Sequence, residues 1–323
     1  MDEPKESSPP AAEENLQSQP PAALDPGLTP VPPPRLPDHP VHAVFLGPDG
    51  LRVPWRFLLY IAIGFAIVLL LGSVRHFWHP RVQLWESLVG EAEVLIGAVA
   101  AAFIMARLEK RSFDAYGLPR RLAFGKLFWV GMVWGIASLT VLMLIMRGAG
   151  LFYFGGLAIH GTRILKFAAF YALFFLLVGL GEEFVARGYT QFTLTQGMGF
   201  WPAAILLSAM FGGIHLFNQG EVWIGILGAA VIGFFFCLTL RRTGNLWFAV
   251  GFHASWDWGE SYLYSVPDSG GVSPGHLLQS SFHGSRWLTG GSVGPEGSVL
   301  LFVIIALTWV AFNRVYPEAK YSG

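Results

Sequence analysis

Apolar stretches long enough to cross a lipid bilayer recur along the chain from Trp55 onward. An α-helix rises about 1.5 Å per residue, so a hydrocarbon core of about 30 Å needs roughly 20 residues. The pattern therefore predicts an all-α fold, a polytopic membrane helical bundle of about eight transmembrane helices. The predicted spans are residues 55–74, 85–106, 127–146, 164–187, 200–217, 222–240, 245–264 and 298–315.

Two of these spans carry additional expectations. Glu86, Glu91 and Glu93 interrupt the second span, and we interpret them as interfacial or helix-packing carboxylates. The fourth span is predicted to continue as helix to about Thr195, because the next run of helix-breaking residues begins at Gly197.

The first fifty residues differ in composition from the rest. Most of the chain's 21 prolines lie before Trp55, together with acidic residues and few aromatic ones. Such a segment cannot bury enough apolar surface to offset the entropy lost on ordering. We predict a disordered Pro-rich tail over residues 1–50 and a transmembrane domain over residues 51–323.

Composition agrees with a membrane protein. Hydrophobic residues make up 53% of the chain and charged residues 13%, roughly half the usual charged share of a globular domain. The formal net charge is zero, so a nucleic-acid partner is not expected, and the lipid bilayer is the predicted environment. The single Cys237 excludes an intrachain disulfide framework.

Basic residues are unevenly distributed among the connections between spans. Lys and Arg are enriched on the cytoplasmic side of membrane proteins. If the N-terminus is inside, the inner connections and the C-terminal end carry most of them: Arg107, Lys110, Arg111, Arg120, Arg121, Lys126, Arg241, Arg242, Arg314 and Lys320. This bias predicts an integral multi-pass protein of the cell membrane with both termini in the cytoplasm.

Charged residues inside an apolar span are costly, and the fourth span carries three of them. Glu183 and Arg187 are four residues apart, so they share a helix face and are able to form an ion pair. Glu182 is then left free, as a general base requires. A helix-packing charge cluster made of all three residues is the alternative explanation.

Two histidines lie in other spans. His215 lies near the end of the fifth span, and His253 lies in the seventh with Asp257 at i+4. In an antiparallel hairpin, Glu182 and His215 are about equally far from the turn, which predicts similar depths. Asp257 is expected to fix the tautomer of His253. We predict a water-filled cavity between spans four, five and seven that opens toward the cytoplasm.

At these positions the chain resembles the CAAX-protease and bacteriocin-processing (CPBP, Abi-type) family of intramembrane endopeptidases. The family pattern is EExxxR, FxxxH and HxxxN on successive membrane helices. The corresponding segments here are 182–187, 211–215 and 253–257, and the similar region spans about residues 120–265. The last position departs from the pattern, because Asp257 stands where Asn is frequent.

The resemblance implies a hydrolytic site. Glu182 and His215 would activate water, while His253 and Asp257 would position the water, a metal ion or the oxyanion. Glu183, Arg187 and Phe211 would give structural support. His215 and His253 could ligate a divalent metal such as zinc, or the site could work without a metal. The implied partner is a membrane-embedded or lipidated, CAAX-like peptide.

Two other function classes stay open at this point. A non-proteolytic membrane scaffold or immunity factor could use the same fold to bind a peptide. A small-solute or proton-coupled transporter could use the intramembrane carboxylates and histidines as a relay. The absence of an internal repeat in the sequence argues against the transporter.

Overall fold

The structure is a computed structural model, in which the chain divides into two units, Met1–Val44 and Phe45–Gly323. It describes residues 40–48, 50–78, 83–218, 220, 222–272 and 274–321. Most of the predicted disordered tail, residues 1–39 and 49, lies outside the described residues. The described end of that segment forms helix α1 (Pro40–Phe45) and a short antiparallel pair of strands, β1 (Leu46–Gly47) and β2 (Gly50–Leu51).

Helices form most of the second unit, as the sequence predicted. They are α2 (Val53–Trp78), α3 (Gln83–Leu108), α4 (Lys126–Gly148), α5 (Thr162–Arg187), α6 (Tyr189–Met198), α7 (Phe200–Ile214), α8 (Trp223–Thr243), α9 (Trp247–Trp258), α10 (Arg286–Thr289) and α11 (Val299–Val315). A second antiparallel pair, β3 (Phe152–Tyr153) with β4 (Ser281–Phe282), joins the connection after α4 to the loop before α10.

Six helical segments of the described chain are long and apolar enough to cross a membrane. They are Val53–Phe77, Leu84–Leu108, Lys126–Gly148, Thr162–Met198, Phe200–Phe217 and Trp223–Thr243. The other two predicted spans correspond to shorter helices: α9 with a π-helical turn at Gly259–Tyr264, and α11. The protein is therefore an integral membrane protein with an α-helical bundle.

The fourth predicted span, residues 164–187, lies within α5, but its predicted continuation to Thr195 is interrupted. Helix α5 ends at Arg187, and Gly188 has a non-helical backbone (φ −81°, ψ −122°) before α6 begins. A side chain at Gly188 would overlap the carbonyl oxygen of Phe184, so the tight bend requires glycine. The expectation of helix through to Thr195 is corrected here, because the break occurs nine residues before Gly197.

Helix α9 is the central element and is almost entirely buried. It packs against α4, α5 and α8. The approach of α4 is close because Gly131 and Gly135 leave room for the backbone of Phe248 and Phe252. Small residues at such crossings allow helix backbones to approach within a membrane.

The bundle has two distinguishable ends. At one end Arg56 forms an ion pair with Glu109, and the amide of Leu246 donates to the carbonyl of Gly117. We call this the basic end, since it carries the basic connection at residues 109–125. Helix α4 runs from there to the loop end, where β3 pairs with β4 and Ser292 donates to the carbonyl of Gly220.

Candidate active site

The four residues predicted to act in catalysis line one cavity of about 520 Å³. Glu182 comes from α5, His215 from the 3₁₀ turn after α7, and His253 and Asp257 from α9. Three segments that are far apart in the sequence thus contribute these residues to the same cavity. Their catalytic roles stay predictions.

Glu183 and Arg187 form the buried ion pair that their spacing predicted. Nη1 of Arg187 lies 2.8 Å from Oε1 of Glu183, and both side chains are completely buried. The guanidinium lies 4.4 Å from the ring centroid of Phe211. Gly233 on α8 leaves space for it, because an added Cβ would overlap Nη2 of Arg187. The pair therefore connects α5 with α7 and α8 next to the cavity, which Phe211 lines.

Glu182 is the accessible carboxylate of the two. Its side chain is 38% exposed, whereas that of Glu183 is fully buried. Oε2 of Glu182 lies 3.7 Å from Nε2 of His253. This arrangement agrees with the predicted division between one paired and one free carboxylate.

His253 lies among three carboxylates. Its Nδ1 is 2.9 Å from Oε1 of Glu183, and its Nε2 is 3.4 Å from Oδ2 of Asp257. The ring stacks on Phe236. The sequence had predicted that Asp257 orients this imidazole, but the shorter contact, at Nδ1, belongs to Glu183. Glu183 pairs with Arg187 as a carboxylate, which can only accept, so Nδ1–H is the donor.

His215 is held by its own helix. A carbonyl oxygen can only accept, so Nδ1–H of His215 donates to the carbonyl of Phe211 at 2.7 Å. In the neutral ring this tautomer leaves Nε2 free to accept a proton. The ring also packs edge-on against the side chain of Phe211. Phe211 thus supports both His215 and Arg187.

Sequence reasoning missed two further carboxylates of this cavity, Asp268 and Glu296. One ligand oxygen from each, together with one from Asp257, lies within 4.8 Å of the others. Burial and the neighbouring Glu296 raise the pKa of Asp268 well above the usual range of an aspartate. The cluster therefore favours a bound proton or cation over a further negative charge.

The three glutamates of α3 have different surroundings. Glu93 is buried and forms an ion pair with Arg75 of α2 at 3.0 Å, in agreement with a helix-packing role. Glu86 is exposed near the start of α3. Glu91, by contrast, lines the cavity that contains Glu182.

The cavity extends toward the loop end of the bundle. Among the described residues, those that line it from the connections between helices are Asn218, Asp268–Gly271 and Glu296, all at the loop end. The sequence had predicted a cytoplasmic opening together with cytoplasmic termini. The C-terminal segment pairs with Arg241 at the basic end, opposite to the loop end that the cavity reaches. An opening at the loop end and the C-terminus therefore lie on different sides of the membrane, so the two expectations conflict.

The possible metal ligands that converge in the cavity are carboxylate oxygens, not the histidine nitrogens that were predicted to bind zinc. Within the described part of the chain, the converging group of three is formed by oxygens of Asp257, Asp268 and Glu296. Zinc usually binds nitrogen or sulfur, whereas carboxylate oxygens suit harder cations. A zinc ion on His215 and His253 stays a prediction, for which Nε2 of His215 is a free donor atom.

Comparison with known proteins agrees with the site. Residues 164–259 match the family model described as "Type II CAAX prenyl endopeptidase Rce1-like". The matched segment covers under a third of the chain and contains Glu182, His215, His253 and Asp257. No curated protein matches the chain. The segment that supplies these four residues is therefore similar to Rce1-like CAAX endopeptidases, which confirms the resemblance to the CPBP family.

Proposed function

We propose that the protein is an intramembrane endopeptidase that hydrolyses peptide bonds with a water molecule activated by Glu182 and His215. The observation that carries the proposal is the convergence of Glu182, His215, His253 and Asp257 on one cavity within the segment that matches a protease family. A site of this kind gives the accessible carboxylate of Glu182 and the free Nε2 of His215 access to the same space.

Glu182 is the proposed general base. It is the accessible carboxylate of the pair, and its neighbour Glu183 is already occupied by Arg187 and His253. It would take a proton from water as the oxygen attacks the peptide carbonyl, and would return it to the leaving amine. His215, with Nε2 free, would share this proton transfer.

His253 is the proposed donor to the developing oxyanion. Its contacts with Glu183 at Nδ1 and with Asp257 at Nε2 favour the imidazolium, in which both nitrogens carry protons. A positive charge at Nε2 would stabilise the negative oxygen of the tetrahedral intermediate. Asp257 would hold Nε2 in place until substrate enters.

We propose a membrane-embedded or lipidated, CAAX-like peptide as substrate. The residues beside His215 are apolar and strongly exposed: Ile214 is 60%, Leu216 64% and Phe217 88% accessible. An apolar rim of this kind suits a chain that arrives from within the bilayer rather than from water. The proposed location is the cell membrane, with both termini and the basic end in the cytoplasm.

The decisive experiment compares peptide termini in membranes from cells that express the wild type or Glu182→Gln at equal levels. We expect termini that depend on the wild-type protein, and a decrease of about 10²–10⁴-fold in Glu182→Gln. Glu86→Gln removes the same charge from an exposed position and should leave the termini unchanged.

The alternative functions give different outcomes in the same experiment. A scaffold or immunity factor would produce identical termini in both strains, and Glu182→Gln would still complement a deletion phenotype. A transporter would lose ion coupling in Glu182→Gln without any wild-type-dependent cleavage. Either result would refute the proposed proteolysis.

A further inference from the structure

Three acidic residues from separate segments meet at the loop end of the cavity. Asp257 lies near the end of α9, Asp268 follows the π-helical turn, and Glu296 lies in the 3₁₀ turn before α11. Their ligand oxygens lie within 4.8 Å of one another. Ca²⁺ binds oxygen at about 2.3–2.6 Å, so two oxygens on one ion are at most about 5 Å apart. The spacing fits one such ion.

Neighbouring hydroxyl groups already hold two of these carboxylates in position. Ser261 donates to Oδ2 of Asp268 at 3.0 Å. Ser269 donates to Oε2 of Glu296 through its hydroxyl at 2.8 Å and its amide at 3.2 Å. Outer hydrogen bonds of this kind orient the first layer of metal ligands.

A fourth carboxylate, Glu260, interacts electrostatically with the cluster. It is completely buried, and neither of its oxygens makes a hydrogen bond of good geometry, with the side chain of Trp256 as the neighbouring donor. The strongest charges acting on it are those of Glu296, Asp268 and Asp257. Among the described residues that line the cavity, His253 contacts Asp257, but there is no Lys or Arg to balance the other carboxylates. Buried carboxylates without a partner are costly, and a cation among them removes this cost.

We propose that Asp257, Asp268 and Glu296 form a binding site for a divalent cation of the calcium type. All the donors are hard oxygens, and water would complete the coordination of six to eight ligands. The ion would tie α9 to the loop at residues 266–272 and to the turn before α11. This inference shares Asp257 with the proposed active site, but it is tested by ion binding and through Asp268 and Glu296, which the proposed proteolysis does not use.

The experiment measures binding of ions to the purified full-length chain in detergent after chelator treatment. Tb³⁺ serves as the probe, since it replaces Ca²⁺ and its luminescence is sensitised by a nearby indole. Trp256 lines the cavity next to Asp257 and supplies that indole. We expect saturable Tb³⁺ emission that Ca²⁺ displaces, and a rise in Tm of a few degrees in millimolar Ca²⁺.

Matched variants assign the binding to these residues. Asp268→Asn and Glu296→Gln keep the side-chain shape and remove one charge each, so both should abolish the emission and the shift in Tm. Glu86→Gln, an exposed change of the same kind, should retain them. Each variant is checked for folding by size exclusion without divalent ions.

Two outcomes would overturn the site. The first is a wild-type protein that shows no saturable Tb³⁺ emission and no change of Tm with Ca²⁺, which would mean that protons alone neutralise the cluster. The second is emission that persists equally in Asp268→Asn and Glu296→Gln. Glu182→Gln should bind the ion normally, so a failure of the proposed proteolysis leaves this test unaffected.

Discussion

Glu183 and His253 are joined by a contact of 2.9 Å between Oε1 and Nδ1, and the same Oε1 pairs with Arg187. One carboxylate oxygen therefore links the buried helix brace to a residue of the candidate active site. The structural support predicted for Glu183 thus extends to His253. Any change that moves Arg187 should also disturb the orientation of the His253 ring.

Arg187→Met should destabilise the protein by about 3–5 kcal/mol, because it leaves the buried carboxylate of Glu183 without its guanidinium partner and with the contact to His253 alone. Methionine keeps a long apolar side chain next to Phe211 and limits the change in packing. The free energy of unfolding is measured by denaturant titration in detergent. A loss below about 1 kcal/mol would show that the pair is well hydrated.

The double variant Glu183→Gln with Arg187→Met separates the ion pair from packing. It removes both charges, so it should lose less stability than Arg187→Met alone. If the two single losses simply add, the pair contributes no coupling energy.

Two adjacent glycines before His215 should respond in opposite directions. A Cβ at Gly212 would lie 2.6 Å from the carbonyl oxygen of Ile226 on α8, whereas a Cβ at Gly213 meets nothing within 4 Å. Gly212→Ala should cost about 1–3 kcal/mol through overpacking, while Gly213→Ala should gain up to about 1 kcal/mol of helix stability. Thermal unfolding of both variants measures the difference, and equal shifts would contradict the helix contact.

The sequence was sufficient for the parts of the site that lie on one helix. Glu183 and Arg187 are four residues apart, and helical periodicity alone predicts their contact. The apolar runs also located the main helices to within a few residues. Gly188 was missed because an isolated glycine is tolerated within many helices, and only the close approach of Phe184 reveals the bend.

The acidic cluster could not be predicted from the sequence. Asp268 and Glu296 lie 28 residues apart in a loop with many Gly and Ser residues. No periodicity relates such positions to each other or to Asp257 on α9. Their proximity depends on how the loop folds back over the bundle, which is fixed by contacts such as Ser269 with Glu296. The one hint of this cluster in the sequence was Asp257, which stands where the family pattern frequently has Asn.

Removal of divalent cations should expose the loop to protease. Arg286 lies in the exposed helix α10 of the loop that carries Asp268 and Glu296 at its two ends. If an ion ties those ends to α9, trypsin should cleave after Arg286 faster in chelator than in Ca²⁺. Cleavage at the exposed Arg121 of the basic end is the internal control and should not change. Equal rates at Arg286 in both conditions would contradict a stabilising role for the ion.

The side of the membrane on which the cavity opens can be measured with single cysteines. Cys237 is buried and can be replaced by Ala to give a background without thiols. Val272 is 70% exposed at the loop end, and Ala123 is exposed at the basic end. By the positive-inside rule, an impermeant thiol reagent should label Val272→Cys in intact cells and Ala123→Cys only after permeabilisation.

The side of the membrane on which each cysteine is labelled also limits which peptides can reach the cavity. Labelling of Val272→Cys from outside would mean that the cavity reaches the non-cytoplasmic half of the bilayer, since Asp268–Gly271 line it directly. A scissile bond would then have to lie in a peptide segment that is translocated or embedded in the membrane. Labelling of Ala123→Cys from outside instead would reverse the orientation. The cavity would then be accessible to lipidated peptides that stay in the cytoplasm, against the distribution of Lys and Arg.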